Sequence, residues 1–212
     1  MSGKTYRIKL CWGIESGECP NLIQLEANLK KDLQKVLDDS GWPECLEQNL
    51  SSRQIKPLNQ FYISISGCPN GCSRPQIADF GLLQARQPQV IKDICSGCTE
   101  CIQVCREGAI ELKHGIADID SGPCLFCGAC IRTCPENALL TKNQGYRIQV
   151  GGKLGRHPRL ADELPGIYDR EAVFDTLNKC LKLQQSFYRP GLRFGQVIAW
   201  QGIAELLNKT VS

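Results

Sequence analysis

The stretch GCPNGCSRPQIADFGL, residues 67–82, directly follows FYISIS, residues 61–66. Phe61, Ile63 and Ile65 alternate with Tyr62, Ser64 and Ser66, which predicts a half-buried strand. A C-x3-C pair across the Pro69–Gly71 loop is not a comfortable helix, so Cys68 and Cys72 are expected to point from one tight turn. Two thiols hold half of an iron–sulfur cubane, and the other half must come from elsewhere. Upstream, Tyr6 to Leu10 alternates like a short strand and runs into CWGIESGECPN, residues 11–21. Leu22, Leu25, Leu29, Leu33, Val36 and Leu37 then follow helical spacing, with Asn21 as the N-cap. Cys11 and Cys19 thus lie in a second loop at a strand end, beside a helix N-terminus whose N–H groups suit a negatively charged cluster. The competing reading is four buried thiols, but glycine and proline loops are poor places to bury one.

The chain has 14 cysteines and two histidines in 212 residues. Cys95, Cys98, Cys101 and Cys105 recur as Cys124, Cys127, Cys130 and Cys134, each shifted by 29 positions. The spacing is C-x2-C-x2-C-x3-C both times. Thiols this close cannot all reach distant disulfide partners without strain, and zinc prefers two separated C-x2-C knuckles. Iron–sulfur ligation is the favoured chemistry. The repeat resembles a bacterial two-cluster ferredoxin module over about 95–140, in which the fourth cysteine of each run serves the other cluster. That resemblance implies two [4Fe-4S] sites: Cys95, Cys98, Cys101 and Cys134, and Cys124, Cys127, Cys130 and Cys105. Arg106 stands where the second run has Pro135.

A net charge of +3 weakens any reading as a nucleic-acid binder, and no stretch is apolar for long enough to span a bilayer. No signal-peptide pattern opens the chain, so a cytoplasmic, anaerobic redox protein is expected. Gln84 to Pro88 and Thr141 to Gly145 read as the links into and out of the repeat region. The division is therefore 1–88 plus 143–212 around an inserted 89–142, with an α+β outer domain. Ile77 to Leu83 and Tyr146 to Val150 are further strand candidates, and helices are predicted near 170–187 and 194–207, the second containing Gly202.

GCPNGCSRPQIADFGL together with YRIQVGGKLGRHPRLA, residues 146–161, resembles the siroheme-containing nitrite and sulfite reductases, above all the dissimilatory and anaerobic sulfite reductases. The resemblance covers nearly the whole chain. It implies a third [4Fe-4S] cluster on Cys11, Cys19, Cys68 and Cys72, with Cys72 also bridging to the siroheme iron. Siroheme is a polycarboxylate, and charge-assisted pairs in a glycine-rich loop suit it. The implied tetrapyrrole contacts are Asn70, Arg74, Gly151, Gly152, Lys153, Arg156, His157 and Arg159, with Arg193 a further candidate. Cys72, Lys153 and Arg156 are the residues implied to take part in catalysis. The plain alternative for the basic stretch is a solvated loop.

Three departures bear on function. The first cysteine pair is spaced C-x7-C where the family usually has C-x5-C, and Cys45 is an alternative ligand. Gln60 and Tyr62 occupy the positions of a Lys-x-Lys pair that family members offer to their anionic substrate. The ferredoxin-like half-domain expected before the first cysteine pair is missing. The leading expectation is a sulfite or nitrite reductase-like enzyme, with electrons passing from a donor protein through the ferredoxin clusters and the third cluster to siroheme. A partner subunit or second copy would complete the pocket. The alternative is a non-catalytic iron–sulfur electron-transfer subunit.

Overall fold

The computed structural model describes residues 5–24 and 28–207. Strands β1 (Tyr6–Leu10), β2 (Phe61–Ser66), β3 (Phe80–Val90), β6 (Leu139–Val150) and β7 (Asp162–Glu163) form one sheet in the order β1-β2-β3-β6-β7. The β1–β2 and β2–β3 pairs are parallel, and β3–β6 and β6–β7 are antiparallel. Parallel neighbours need a crossover. Between β1 and β2 it is made by α1 (Trp12–Ser16), α2 (Leu29–Asp38) and α3 (Trp42–Asn49). Between β2 and β3 the only regular element is a single 3₁₀ turn, Pro75–Ile77. The loop carrying Cys68 and Cys72 is therefore itself the crossover.

This connection corrects the expected half-burial of β2. All six of its residues are buried, with Ser64 and Ser66 fully so. The loop folds back over their face and is clasped there by Ser73. The Ser64 hydroxyl donates to the Ser73 carbonyl at 2.8 Å, the Ser66 and Ser73 hydroxyls pair at 2.7 Å, and the Ser73 amide donates to Ser66 Oγ at 3.2 Å. Serines on the outward positions thus bond to a covering loop, and burial does not leave them unsatisfied.

The helix expected over 22–37 starts later. Helix α2 begins at Leu29 behind Asn28, which sits at φ 70°, and Asn21 is not its cap. The Ile23 amide instead donates to the Gly67 carbonyl at 2.8 Å, and the Leu22 amide to the Cys19 carbonyl at 3.0 Å. Residues 19–23 are spent on tying two loops together. Leu25 lies outside the described residues. The 77–83 strand candidate also shifts: Ile77 closes the 3₁₀ turn and β3 begins at Phe80.

The expected links at 84–88 and 141–145 are strand. Strands β3 and β6 pair from Phe80↔Val150 to Val90↔Leu139, with one register shift between Gln87 and Pro88. Pro88 has no N–H to give a ladder, and a bulge tolerates that. Helix α6 (Arg170–Phe187) has Asp169 as N-cap, whose carboxylate accepts from the Ala172 amide at 2.8 Å. Its Val173, Leu177 and Leu181 join Trp42, Phe61, Phe80, Ile148 and Val150 in the main core. The helix predicted over 194–207 is interrupted: α7 (Phe194–Gln201) stops at Gly202, φ 73°, and α8 (Ala204–Leu207) restarts.

Beyond the ladder, α4 (Glu100–Val104), the hairpin β4 (Ile110–Lys113)–β5 (Ile116–Ile119) and α5 (Ala129–Thr133) gather around a second, smaller core. It consists of Cys101, Ile110, Ala117, Cys130 and Leu139. No described helix is long and apolar enough to cross a membrane.

Candidate iron–sulfur and haem site

Cys11 ends β1 and caps α1 with extended backbone. Its amide donates to the Ile65 carbonyl at 2.9 Å, and its sulfur accepts from the Gly67 amide at 3.2 Å. A Cβ on Gly13 would stand 2.6 Å from Cys19 Cβ, 3.3 Å from Cys19 Sγ and 3.9 Å from Cys11 Sγ. Only glycine leaves room for both thiols there. Burial pushes the Cys68 thiol up, and thiolates at Cys72, Cys19 and Cys11 push it further, against a hydrogen bond from the Asn70 amide. Gly13 lies against both Cys19 and Cys11, and Gly67, next to Cys68, bonds the Cys11 sulfur, so the two cysteine loops meet. Cys11 and Cys68 are buried, Cys19 is half-buried and Cys72 is exposed. Of the four, Cys72 is the exposed one. Cys45 is half-buried at α3, and Cys180 is fully buried in the main core.

The eight repeat cysteines line two cavities. Cys95, Cys98, Cys101 and Cys134 line one small cavity, while Cys105, Cys124, Cys127 and Cys130 line another of about 190 Å³. The crossing of Cys105 and Cys134 follows from an internal two-fold likeness. Left-handed residues recur at the sequence shift of the repeat: Gly97 with Phe126, Thr99 with Gly128, and Gly108 with Asn137. The Ala109 amide donates to Cys105 Sγ at 3.4 Å, and its counterpart, the Ala138 amide, to Cys134 Sγ at 3.2 Å. Among the described residues no group of three or more His, Cys, Asp or Glu side chains is set to hold a metal ion. Zinc would draw its sulfurs to about 2.3 Å.

Strand β3 measures the gap between the two regions. Along one edge it pairs with β2 as far as Ser66↔Leu83. Three residues further on, Arg86 makes a parallel bridge with Cys127, and the Arg86 amide donates to the Phe126 carbonyl at 2.7 Å. At about 3.3 Å per residue, the end of β2 and the Cys127 loop are about 10 Å apart. Cys68, Pro69 and Asn70 accordingly line the same cavity as Cys105, Cys124, Cys127 and Cys130.

The two long motifs also meet. The Gly152 amide donates to the Ala78 carbonyl and the Ala161 amide to the Gln76 carbonyl, both at 2.8 Å. A Cβ on Gly152 would come within 2.6 Å of Gln76 O. Gly151, at φ 75°, lies against Ile198. The cations divide into two groups. Lys153 donates to the His157 carbonyl, and Arg159 bonds the Gly151 carbonyl at 3.0 Å and Asp162. Arg193 faces the buried Asp79 at 3.8 Å. Asn70, Arg74, Arg156 and His157 are exposed. An exposed thiol at Cys72 with Arg74 two residues on fits a carboxylate-rich haem, whereas Lys153, Arg159 and Arg193 are committed internally.

Several residues here escaped the sequence reading. Arg7 on β1 sits in register with Tyr62, and its guanidinium lies 3.7 Å above the Tyr62 ring. A cation thus stands beside a position expected to lack one. Arg86 and Arg147 reach the 124–128 loop from the sheet. Asp79 is buried, its Oδ2 accepts the Tyr62 amide at 2.9 Å, and burial pushes its carboxyl up to about 6 despite Arg193 and Arg7. Pairing register is the signal for all of these, and it is absent from a linear motif.

Residues 26–212 match the family described as Nitrite and sulphite reductase 4Fe-4S domain. The chain is 40% identical over 121 residues to the Coenzyme F420-dependent sulfite reductase of Methanocaldococcus jannaschii, covering 57% of this chain and 19% of that protein. It is 36% identical over 56 residues to one of the subunits of the anaerobic sulfite reductase of Salmonella typhimurium, covering 25% of this chain and 17% of that one. The matched region is under a fifth of either relative's length. The crystal structure of dissimilatory sulfite reductase I superposes with a TM-score of 0.56 at 19% identity, over 94% of this chain and 50% of that one, a likeness of fold. The chain belongs to the nitrite and sulphite reductase 4Fe-4S domain family.

Proposed function

We propose that the chain is the electron-relay and haem-binding part of a siroheme-dependent sulfite or nitrite reductase, with three [4Fe-4S] sites. The observation that carries this is the meeting of the Cys11–Cys19 and Cys68–Cys72 loops, tied by the Gly67 amide on the Cys11 sulfur, with Cys68 sharing a cavity with Cys105, Cys124, Cys127 and Cys130. A [4Fe-4S] cluster supplies one-electron transfer, and siroheme supplies the iron where the bound anion is reduced. The residues' own tasks follow from their placement. Residues 89–142 hold the two ferredoxin-type sites on paired loops, and residues 1–88 with 143–212 form the reductase-like domain. Cys72 faces outward to join the third cluster to the haem. Arg74, Arg156 and His157 meet the haem carboxylates from the surface. Gly151 and Gly152 let the 151–161 loop lie flat against residues 76–78, with Asn70 at the cluster loop. Lys153 and Arg159 brace that loop, and Arg7 beside Tyr62 offers charge to the anion.

A partner subunit or second copy completes the haem pocket, and a donor protein feeds the relay. Fourteen free cysteines suit a reducing, cytoplasmic setting. A second reading, an iron–sulfur electron-transfer subunit without haem, is favoured by one observation: Lys153 and Arg159 are both engaged in internal bonds. The visible spectrum of anaerobically purified protein separates the two. Siroheme bands above the iron–sulfur background, with sulfite or nitrite turnover, are the expected result. A plain iron–sulfur spectrum from cells shown to make siroheme would sink the haem reading and leave the relay.

A further inference from the structure

The two ferredoxin-type sites are near copies in sequence and backbone, yet their electrostatic settings differ. The loop 124–128 is met by three guanidinium groups. Arg86 comes from β3, and a Cβ at Gly128 would touch its Cδ, Cβ and Cγ at 3.2, 3.3 and 3.5 Å. Its Nε is buried with no protein partner. Arg147 comes from β6, where Nη1 donates to the Leu125 carbonyl at 3.2 Å and Nε is held by Glu163 at 2.6 Å. Arg132 on α5 donates to the Cys127 carbonyl at 3.3 Å. At the first site the repeat position of Arg132 is Gln103. Glu136 lines the cavity of Cys95, Cys98, Cys101 and Cys134 and its repeat counterpart Glu107 lines the other, so the difference is in the cations: Arg106 and Arg132 line the second cavity and no Lys or Arg lines the first.

We infer that Arg86, Arg132 and Arg147 hold the Cys105/Cys124/Cys127/Cys130 site at a higher reduction potential than its twin, and so fix the direction of electron flow. The inference rests on the ligand sets proposed above. A reduced cluster carries one more negative charge than the oxidised one. Cations within a few ångströms therefore stabilise the reduced form, and more strongly where water is excluded. One electron leaves the first site, oxidising it, and reduces the second, with no bond or proton exchanged. A low-potential one-electron donor supplies it. The favoured resting place is then the site that shares a cavity with Cys68, next to the third thiol set. The three arginines are positioning residues, since they act through the cluster and touch no substrate.

The test is a potentiometric titration of the full chain, purified anaerobically and followed by electron paramagnetic resonance. In Arg86→Gln and Arg147→Gln, the higher of the two ferredoxin-type transitions is expected to move to lower potential while the other stays. Arg147→Lys keeps the charge and should stay near the parent. Gln103→Arg, at an exposed helix position, adds the missing guanidinium to the first site and should raise the lower transition, narrowing the gap. If the glutamine variants lose iron, Gln103→Arg decides alone. Unmoved transitions in iron-replete variants, or equal movement of both, would overturn the inference and leave the ligand sets standing. A parent chain with iron for fewer than two ferredoxin-type clusters would overturn the ligand sets and this inference with them.

Discussion

The Gly67 amide donates to the Cys11 sulfur at 3.2 Å, so the loop leaving β2 is bonded to the thiol that ends β1. Two segments far apart in sequence become one cradle because their parent strands are parallel neighbours whose ends coincide at Leu10↔Ile65. Cys11→Ser should therefore empty the third cluster while leaving the other two. Iron and acid-labile sulfide per chain should fall by about a third, on the basis of three four-iron sites. Loss of all iron would show that the three sites assemble as one.

Cys72→Ser separates the outward thiol from the inward ones. On the bridging role proposed for the exposed Cys72, the variant should lose the coupling between haem and cluster, seen as an altered haem absorption and resonance signal. An unchanged haem spectrum would place Cys72 away from the haem.

Gly152 joins the two motifs with no space to spare: a Cβ would meet Gln76 O at 2.6 Å, Ile77 Cα at 2.8 Å and Ala78 O at 2.9 Å. All three are main-chain atoms, which cannot swing aside. Gly152→Ala should cost about 1–3 kcal/mol, measured as a lowered thermal midpoint, and should lower haem content as well. Arg156→Ala, on the exposed part of the same loop, should lower haem content with a stability change within about 0.5 kcal/mol.

Asp79 gives a pH test. An unfolded chain holds its carboxyl near 3.8, and burial raises it to about 6 in the fold. Between those values the folded state binds the extra proton, so stability falls as pH rises and the contribution is gone above about 6. The whole effect is on the order of 3 kcal/mol. Asp79→Asn should flatten the unfolding free energy between about pH 4 and about pH 6 relative to the parent. A slope equal to the parent's would assign the titration elsewhere.

Much of this molecule was legible in its sequence, and what was not has physical causes. Cysteine spacing picked out the repeat, and its 29-residue shift reappears in the backbone as paired left-handed residues. Alternation located β1 and β2, and the helix expected near 170–187 is α6, Arg170–Phe187. Burial of Ser64 and Ser66 was not legible, since it depends on Ser73 returning across β2. Asn21 had the chemistry of an N-cap, but the chain at 22–23 is claimed by Gly67. Arg86 and Arg147 carried no motif, because their importance comes from strand register.

The β3–β6 ladder, interrupted only by the register shift at Gln87–Pro88, has a topological consequence. Traced from Phe80 to Val150, the chain is one long β-hairpin, and residues 91–138 are its turn. Such a turn can be lengthened or pared back to a few residues without altering the strand order of the sheet that carries it. Its carriage is also stiff: swinging residues 91–138 away from Cys68 would require unzipping main-chain hydrogen bonds, so the spacing from Cys68 to Cys127 behaves as a built-in constant of the molecule and not as a gate.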